Sequence, residues 1–187
     1  MKRCQWAQDE LNIEYHDKEW GRPVHDDKKL FEMIILEGAQ AGLSWSTILK
    51  RRKTYCKAFC DFDPIKVSKF TQKDINRLLK DEGIIRNKLK INSAINNAKQ
   101  FLKIQKEFSS FDKYIWSFVN YKPIINKYKK LSDLPATTSL SDKISKDLKN
   151  RGFNFVGSTI CYAFMQAVGI VNDHTTNCFR SQKKEKN

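Results

Sequence analysis

Apolar residues recur three or four positions apart along most of the chain, and no useful length of it alternates apolar with polar residues as a strand does. The pattern is clearest over residues 88–107, where one helical face carries Ile91, Ala94, Ile95, Ala98, Phe101 and Leu102. Only seven Gly and four Pro occur in 187 residues. We therefore predict an all-α fold.

Side chains that cap helix N-termini precede several apolar runs and indicate where helices begin. Asp26 precedes a helix predicted to reach about Gln40, and Ser44 precedes one predicted to reach Phe59. The other predicted elements are capping boxes at 71–74 and 139–142, helices over 111–119 and 158–168, and an irregular connection over 120–138. Gly169 is expected to end the last helix.

Length and composition indicate a single globular domain. Of 187 residues, 40% are hydrophobic, which is enough apolar material for a core. We predict one domain over residues 1–178, composed of one lobe or of two helical lobes with a shared cleft, and a basic, disordered tail over 179–187. Because no run of 18 apolar residues and no apolar leader occurs, we expect a cytoplasmic protein without membrane contact. A monomer is expected as well, although nothing in the sequence reveals the oligomeric state.

The charge is large and unevenly distributed. The chain carries a formal net charge of +14, yet residues 1–45 hold only 6 of its 35 basic side chains and 9 of its 21 acidic ones. A basic body favours a polyanion such as nucleic acid, although a lysine-rich genome composition would produce the same total. No phosphate-loop or dinucleotide fingerprint occurs, so ATP- or NAD-driven chemistry has no support.

Two Cys/His pairs lie near the two ends of the chain. Cys4 and His16 form the first pair, and His174 and Cys178 form the second at a His-x3-Cys spacing. Together they make a Cys2His2 set, which fills the tetrahedral shell of Zn²⁺ and leaves no position for a substrate. This set predicts a structural zinc that joins the N- and C-terminal segments. Buried free thiols and hydrogen-bonded imidazoles are the alternative.

The N-terminal quarter combines aromatic rings with carboxylates. Trp6, Tyr15, Trp20 and Trp45 fall within it, and Glu37 follows an apolar run that indicates a partly buried side chain. Aromatic faces attract flat cations, and a buried carboxylate is costly unless it has a partner or a purpose. The combination suits a positively charged base, whereas the alternative is a set of core aromatics beside a solvated glutamate.

Residues 151–159 form a glycine-bounded turn between two predicted helices. Such a turn can direct backbone N–H groups at a phosphate, and the positive end of a helix dipole adds to the attraction. The candidate DNA contacts here are Gly152, Phe153, Gly157, Ser158 and Thr159. A turn of this kind also occurs between helices that bind nothing, so the motif alone does not establish DNA binding.

Several stretches in order along the chain resemble the 3-methyladenine DNA glycosylase family of the helix-hairpin-helix superfamily. The matching stretches are residues 3–6, 15–21, 37–45, 83–86, 116–120, 152–157 and 172–174, with Cys178. They extend over nearly the whole chain. Two positions depart from the family pattern: Asn12 replaces a Tyr common near the pocket, and Asn87 replaces a His.

The resemblance implies roles for the residues singled out above. Cys4, His16, His174 and Cys178 would hold a structural zinc. Glu37 and Tyr15 would be the catalytic residues of a pocket for 3-methyladenine, with Trp45, Trp6 and Trp20 as substrate-binding walls. Residues 152–157 would form the DNA-binding hairpin, and Gly42 and Leu43 would approach the gap left in the duplex.

The implied activity is excision of 3-methyladenine from alkylated duplex DNA by base flipping, without strand cleavage. Asp173 is not assigned as the catalytic base, and Arg86, Lys88 and Lys90 are candidate phosphate contacts. Three other functions remain to be distinguished: a zinc-stabilised nucleic-acid-binding module, a glycosylase for neutral bases, and a catalytic zinc hydrolase. The closed ligand set disfavours the last of these.

Overall fold

Nine α-helices make up most of residues 1–181, the part of the chain that this computed structural model describes. They are α1 (Glu10–Lys18), α2 (Asp27–Gln40), α3 (Trp45–Ala58), α4 (Pro64–Ser68), α5 (Gln72–Lys80), α6 (Lys88–Phe108), α7 (Phe111–Ser117), α8 (Ser139–Asn150) and α9 (Ser158–Ala167). Short 3-10 turns occupy Cys60–Phe62 and Leu131–Asp133. The prediction of a mostly helical chain is confirmed.

The predicted caps of α2 and α3 are confirmed. The Asp26 side chain accepts a hydrogen bond from the Lys29 N–H at 2.8 Å, and the Ser44 hydroxyl accepts one from the Thr47 N–H at 3.2 Å. Gly169 ends α9 with a φ of +72°, and a Cβ at this position would lie 2.1 Å from the Arg22 carbonyl carbon. These boundaries follow from local chemistry, which the sequence displays directly.

Three helix starts differ from the prediction, and one of them is that of the short helix α4 (Pro64–Ser68), which was not predicted. Helix α8 is capped by Thr138, one residue early, because the Thr138 hydroxyl accepts the Ser141 N–H at 3.1 Å and the Ser141 hydroxyl accepts the Thr138 N–H at 2.8 Å. Helix α1 was not predicted at all. Its buried residues are Asn12, Tyr15 and His16, so it presents no apolar stripe from which a helix could be recognised.

The fold is not purely helical. Strand β1 (Ile124–Ile125) lies within the segment predicted to be irregular, and strand β2 (Val171–Asn172) follows α9. The two strands pair in parallel. The Ile124 N–H donates to the Ile170 carbonyl at 2.9 Å. Strands of two residues are too short to produce an alternating pattern, which is why the sequence did not predict them.

Helix α2 runs through the centre of the core. Its side chains Leu30, Phe31, Met33 and Leu36 are at most 1% exposed, and it packs against α3, α6, α7 and α9. A helix buried on most sides places whatever polar group it carries in a dry environment. Glu37 is that group, since it lies on α2 and is 4% exposed.

The two ends of the chain meet. The Phe179 N–H donates to the Lys2 carbonyl at 2.8 Å, and residues 179–181 are half-buried. Residues 179–181 were predicted as the start of a disordered tail, and that part of the prediction is wrong, because these three residues pack against the N-terminal segment. The rest of the predicted tail, residues 182–187, lies outside the described residues. Within residues 1–181, none of the helices has the length and apolar character needed to cross a bilayer.

Candidate functional site

A cavity of about 260 Å³ opens between α1, α2, α3 and α9. Its volume is slightly below the roughly 300 Å³ at which small-molecule sites begin, so it suits a single ring system and not a whole nucleotide. The lining residues are Trp6, Tyr15, Trp20, Glu37, Gln40, Trp45, Leu131, Leu134, Ala163 and Gln166. All five residues that the sequence grouped as a pocket line this one cavity.

The aromatic residues form a connected wall. The rings of Trp6 and Trp20 meet edge to face at 5.0 Å, and the rings of Tyr15 and Trp45 lie 5.3 Å apart at a tilt of 51°. Trp20 is buried, whereas Trp6 and Trp45 are half-buried and keep ring surface open to the cavity. Such faces can receive a flat ligand, and a cationic one most strongly.

Glu37 supplies the cavity's one carboxyl group. It is 4% exposed, and within residues 1–181 no side chain or backbone N–H donates a hydrogen bond to it. Burial raises the pKa of Glu37 to about 8, because the charged form loses its hydration and gains no partner. A buried carboxyl without a protein partner is poised for a ligand that brings donors or positive charge.

Tyr15 reaches the cavity from α1. It is 3% exposed, and burial raises its pKa well above the usual value, with a further contribution from the negative charge of Glu37. The hydroxyl therefore stays protonated and can donate a hydrogen bond. Asn12, on the same helix, does not line the cavity; its amide donates to Asp9 and Ser46 at 2.6 Å and ties α1 to α3.

Five lining residues were not found from the sequence. Leu131 and Leu134 come from the irregular connection, Ala163 and Gln166 lie three residues apart on α9, and Gln40 ends α2. Nothing near Leu131 or Leu134 marks them as site residues. The one available signal was the spacing of Ala163 and Gln166, which places a small residue and an amide on the same helical face.

The predicted metal ligands also come together. The ligand atoms of Cys4, His16 and Cys178 all lie within 4.8 Å of one another, and all three residues are buried. The Sγ of Cys178 lies 3.3 Å from Nε2 of His16. Backbone N–H groups of Thr175 and Arg180 point at the two sulfurs at 3.4 Å, an arrangement that stabilises thiolate charge.

His174 lies beside these three residues, although it is not part of the group whose ligand atoms all lie within 4.8 Å of one another. Its ring centre lies 4.8 Å from that of His16, and its Nε2 is buried without a hydrogen-bond partner among residues 1–181. Its other nitrogen, Nδ1, lies 2.9 Å from the Asn172 side-chain oxygen, and His16 Nδ1 lies 2.8 Å from Asp17. Outer partners of this kind orient imidazoles that ligate metals, so the four residues fit a zinc ion.

The segment 151–157 links α8 to α9, and amide side chains of α6 hold it. Asn97 exchanges two hydrogen bonds with the Asn154 backbone at 2.8 and 2.9 Å, and Asn96 donates to the Gly152 carbonyl at 2.7 Å. Phe153 is 3% exposed and its N–H donates to the Leu148 carbonyl at 3.0 Å, so this predicted DNA contact is wrong: neither its ring nor its N–H is free for a phosphate.

The residues at the start of α9 differ in whether they are free to contact DNA. The Ser158 hydroxyl bonds Asp142 and Ser141, whereas Thr159 is exposed and Gly157 caps α9 with open space around its Cα. Among the predicted contacts here, Gly157 and Thr159 are thus the ones whose surfaces remain free.

The connection between α2 and α3 projects from the surface near the cavity. Gly42 is exposed and Leu43 is 39% exposed. The Lys90 ammonium donates to the carbonyls of Ala39 and Ala41 at 2.8 and 2.7 Å. Lys90 is therefore committed to the C-terminus of α2 and is not free as a phosphate contact, in contrast to the sequence-based expectation.

Asp173 is enclosed by donors. It is 0% exposed and accepts hydrogen bonds from Asn126, Tyr162 and Gln166 at 2.7, 2.5 and 2.7 Å. Asp173 is absent from the cavity lining. A carboxylate so enclosed cannot reach a water molecule in the cavity, which agrees with not assigning it as a base.

Comparisons with known proteins point to one family. The family model described as methyladenine glycosylase matches residues 5–181. The chain is 53% identical over 179 residues to DNA-3-methyladenine glycosylase 1 of Escherichia coli (strain K12), covering 95% of this chain and 96% of that protein. It is 49% identical over 177 residues to DNA-3-methyladenine glycosylase of Haemophilus influenzae, covering 94% and 96%.

A solved structure extends the similarity to the fold. The structure described as the basis of 3-methyladenine recognition by 3-methyladenine DNA glycosylase I from Staphylococcus aureus superimposes with a TM-score of 0.94. That protein is 38% identical to this chain, and the match covers 98% of each.

Proposed function

The chain belongs to the methyladenine glycosylase family, and we propose that it hydrolyses the N-glycosidic bond of 3-methyladenine in alkylated duplex DNA. The relatives named above carry this base in their names, and one solved structure concerns its recognition. The observation that supports the proposal best is the unpartnered carboxyl of Glu37 in an aromatic cavity.

The cavity's chemistry suits a cationic base. Methylation at N3 gives adenine a positive charge, and a flat cation is attracted both to aromatic faces and to a carboxylate. In the buried site the attraction between Glu37 and this cation offsets the cost of ionising the carboxyl. A neutral base would leave that carboxyl unpaired, so undamaged bases are disfavoured.

The reaction requires the nucleotide to leave the helix. A base in the stack cannot reach the cavity, so the nucleotide is flipped out of the duplex and its base alone enters the cavity of about 260 Å³. Trp45 and Tyr15 stack on the base, each contributing about 1–3 kcal/mol, and Glu37 accepts hydrogen bonds from it. Trp6 and Trp20 complete the wall.

Little acid catalysis is needed once the base is bound. When the C1′–N bond breaks, its electron pair neutralises the positively charged ring, and the base leaves uncharged. A water oxygen forms the new bond to C1′ and releases its proton. No lysine lines the cavity within residues 1–181, so no Schiff base with the sugar is expected, and the enzyme is monofunctional.

Zinc has a structural role in this proposal. Cys4, His16, His174 and Cys178 would hold the ion, which neutralises thiolate charge and ties the chain ends together beside the Trp20 wall. Four protein ligands leave no open position, so the ion does not activate water. Residues 1–178 then act as a single domain, since the metal joins its first and last segments.

DNA is held on the face around the cavity mouth. The N–H groups of residues 155–159, at the start of α9, would contact phosphate as part of a helix-hairpin-helix motif, because those of Gly152, Phe153 and Asn154 are used within the protein. Gly42 and Leu43 would fill the gap left by the flipped nucleotide. The +14 net charge supports non-specific attraction to the duplex.

Base release from N-methylated duplex DNA, with chromatography of the freed bases, tests this function. We expect selective release of 3-methyladenine, with 7-methylguanine left in place and the strand intact. The Glu37→Gln variant should fold, bind zinc and release far less. If the folded, zinc-loaded wild type releases no base, a nucleic-acid-binding module is favoured. If it releases uracil, a glycosylase for neutral bases is favoured.

A further inference from the structure

We propose that Gln166 is a specificity-determining residue, whose side-chain oxygen accepts a hydrogen bond from the exocyclic amine of the bound base. This inference rests on the proposed function and deepens it, because it concerns which methylated purine the cavity accepts. Gln166 lines the cavity from α9, and Glu37 lines the same cavity from α2.

The orientation of the Gln166 amide follows from its neighbour. Its Nε2 lies 2.7 Å from Asp173 Oδ2, and a carboxylate oxygen accepts hydrogen bonds but donates none. Asp173 also receives the Tyr162 hydroxyl and the Asn126 amide, so three donors surround it. The nitrogen of Gln166 must therefore face Asp173, and the oxygen must face away from it.

The oxygen of Gln166 is left for a ligand. Within residues 1–181, no N–H or O–H group donates to Oε1, and this atom is not among the buried polar atoms that lack a partner. Gln166 is only half-buried, and its open surface lines the cavity. Because Nε2 is held by Asp173, Oε1 is the end of the amide that remains free to accept a hydrogen bond, and we infer that it faces the cavity.

Two acceptor side chains match one exocyclic amine. The amine of 3-methyladenine has two N–H bonds, and the cavity presents Glu37 and the Gln166 oxygen as acceptors. In 3-methylguanine a keto oxygen occupies the corresponding ring position. A keto oxygen opposite the fixed Oε1 would set lone pair against lone pair and leave both groups without a donor. The arrangement therefore selects amine over ketone.

Asp173 is a positioning residue in this scheme. It does not line the cavity, yet its hydrogen bond decides which end of the Gln166 amide the ligand meets. Asn126 and Tyr162 in turn hold the carboxylate between β1 and α9. The network explains why a carboxylate is fully buried here without taking part in the chemistry.

The test compares Gln166→Met with a matched control, Gln105→Met. Gln105 is also half-buried, and its Nε2 also donates at 2.7 Å to a carboxylate, Asp27, that accepts two other hydrogen bonds. It lies outside the cavity lining. Both variants lose the same kind of hydrogen bond, so only an effect specific to Gln166 can report on base selection.

The measurement is titration of free 3-methyladenine and free 3-methylguanine, followed by tryptophan fluorescence at pH 6 and pH 9. We expect Gln166→Met to weaken 3-methyladenine binding about tenfold, as for one lost hydrogen bond. The ratio of the affinity for 3-methyladenine to the affinity for 3-methylguanine should fall by a similar factor. The fall in this ratio should be equal at both pH values, because an amide does not titrate. Gln105→Met should leave the preference unchanged.

Each outcome separates this inference from the proposed function. If the wild type binds and releases 3-methyladenine and Gln166→Met keeps the wild-type preference, the inference is wrong and the function stands. If the wild type neither binds nor releases that base, the function itself fails. Should Gln166→Met fail to fold, Gln166→Leu removes the same oxygen, and Asp173→Asn with its zinc retained should also relax the preference, because an amide can present either end to Gln166.

Discussion

The sulfur of Cys178 lies 3.3 Å from Nε2 of His16, although 162 positions separate the two residues. Cys4 shares the cluster, and the unpartnered Nε2 of His174 lies beside it. The contact joins α1 to the segment that directly follows α9. Helix α1 carries Tyr15, and α9 carries Gln166. Two walls of the cavity thus depend on one cluster at the chain ends.

We predict that Cys178→Ser loses zinc and stability together. Removing one ligand should lower the zinc content below one ion per chain and the free energy of unfolding by about 2–5 kcal/mol, because metal binding and folding are coupled. Metal analysis and urea unfolding measure both. Cys56→Ser, a half-buried cysteine outside the cluster, is the control and should retain zinc. A Cys178→Ser protein with full zinc would overturn the ligand assignment.

Binding of a permanently cationic ligand should strengthen as pH rises towards 8. The pKa of Glu37 in the empty cavity is about 8, so below that pH the carboxyl must release a proton before it can pair with a cation. The affinity for 3,9-dimethyladeninium should rise by up to about tenfold per pH unit below pH 8 and level off above it.

The matched variant for this titration is Glu37→Gln. It should bind the cation roughly 10- to 100-fold more weakly at pH 9, the range of a charge-assisted hydrogen bond, and its affinity should not vary with pH. Calorimetry in buffers of different ionisation enthalpy should detect proton release for the wild type alone. A wild-type affinity that is constant from pH 6 to pH 9 would contradict the assignment of Glu37.

The same group should make the empty protein less stable in alkaline solution. The Glu37 pKa is about 8 in the fold and near 4.5 when unfolded, so the folded state holds the proton more tightly between these values. Stability is therefore fully present below about pH 4.5 and is lost as the pH rises through 8. The free energy of unfolding of Glu37→Gln should be higher than that of the wild type by about 3–5 kcal/mol well above pH 8, and the two should differ little at pH 4.5. Urea unfolding at both pH values checks this, and equal differences at the two would contradict it.

Lys90→Met should destabilise the end of α2 rather than remove a phosphate contact. The variant leaves the carbonyls of Ala39 and Ala41 without their donor, at an expected cost of about 1–3 kcal/mol in unfolding free energy. Lys88→Met, on an exposed neighbour, should change stability by less than about 0.5 kcal/mol. DNA affinity measured against salt concentration provides the decisive comparison. If Lys90→Met is as stable as the wild type and its DNA affinity depends less steeply on salt concentration, Lys90 contacts phosphate and this prediction is wrong.

Local chemistry made several features predictable from the sequence. Asp26 and Ser44 begin helices because their side-chain oxygens satisfy N–H groups two or three residues on, and this holds wherever the chain later packs. The sequence also suggested that Cys4, His16 and Cys178 lie together, because Cys and His at ligand spacing often share a metal, and the structure brings these three into one cluster. The five pocket residues were recognised by residue type and by resemblance to a family.

Other features depended on which segments meet in space. Helix α1 lacked an apolar stripe because its inner face, with Tyr15 and His16, packs against the cavity and the Cys/His cluster, and such neighbours leave no periodic signal. Leu131 and Leu134 came from a stretch with no distinguishing pattern. Phe153 was expected at the DNA surface and is buried, because amides of α6 hold its turn against the core.

The sequence by itself determined the helical class, most helix boundaries, the ligand types and the residue types of the pocket. Only the tertiary structure decided that Glu37 has no hydrogen-bond partner among residues 1–181, that Lys90 is committed to α2, and that the Gln166 oxygen is turned away from Asp173. The physical reason is the separation along the chain over which each kind of interaction acts. Capping and helical periodicity act over a few residues, whereas burial and the direction of a hydrogen bond are set by groups that are distant along the chain and adjacent in the fold.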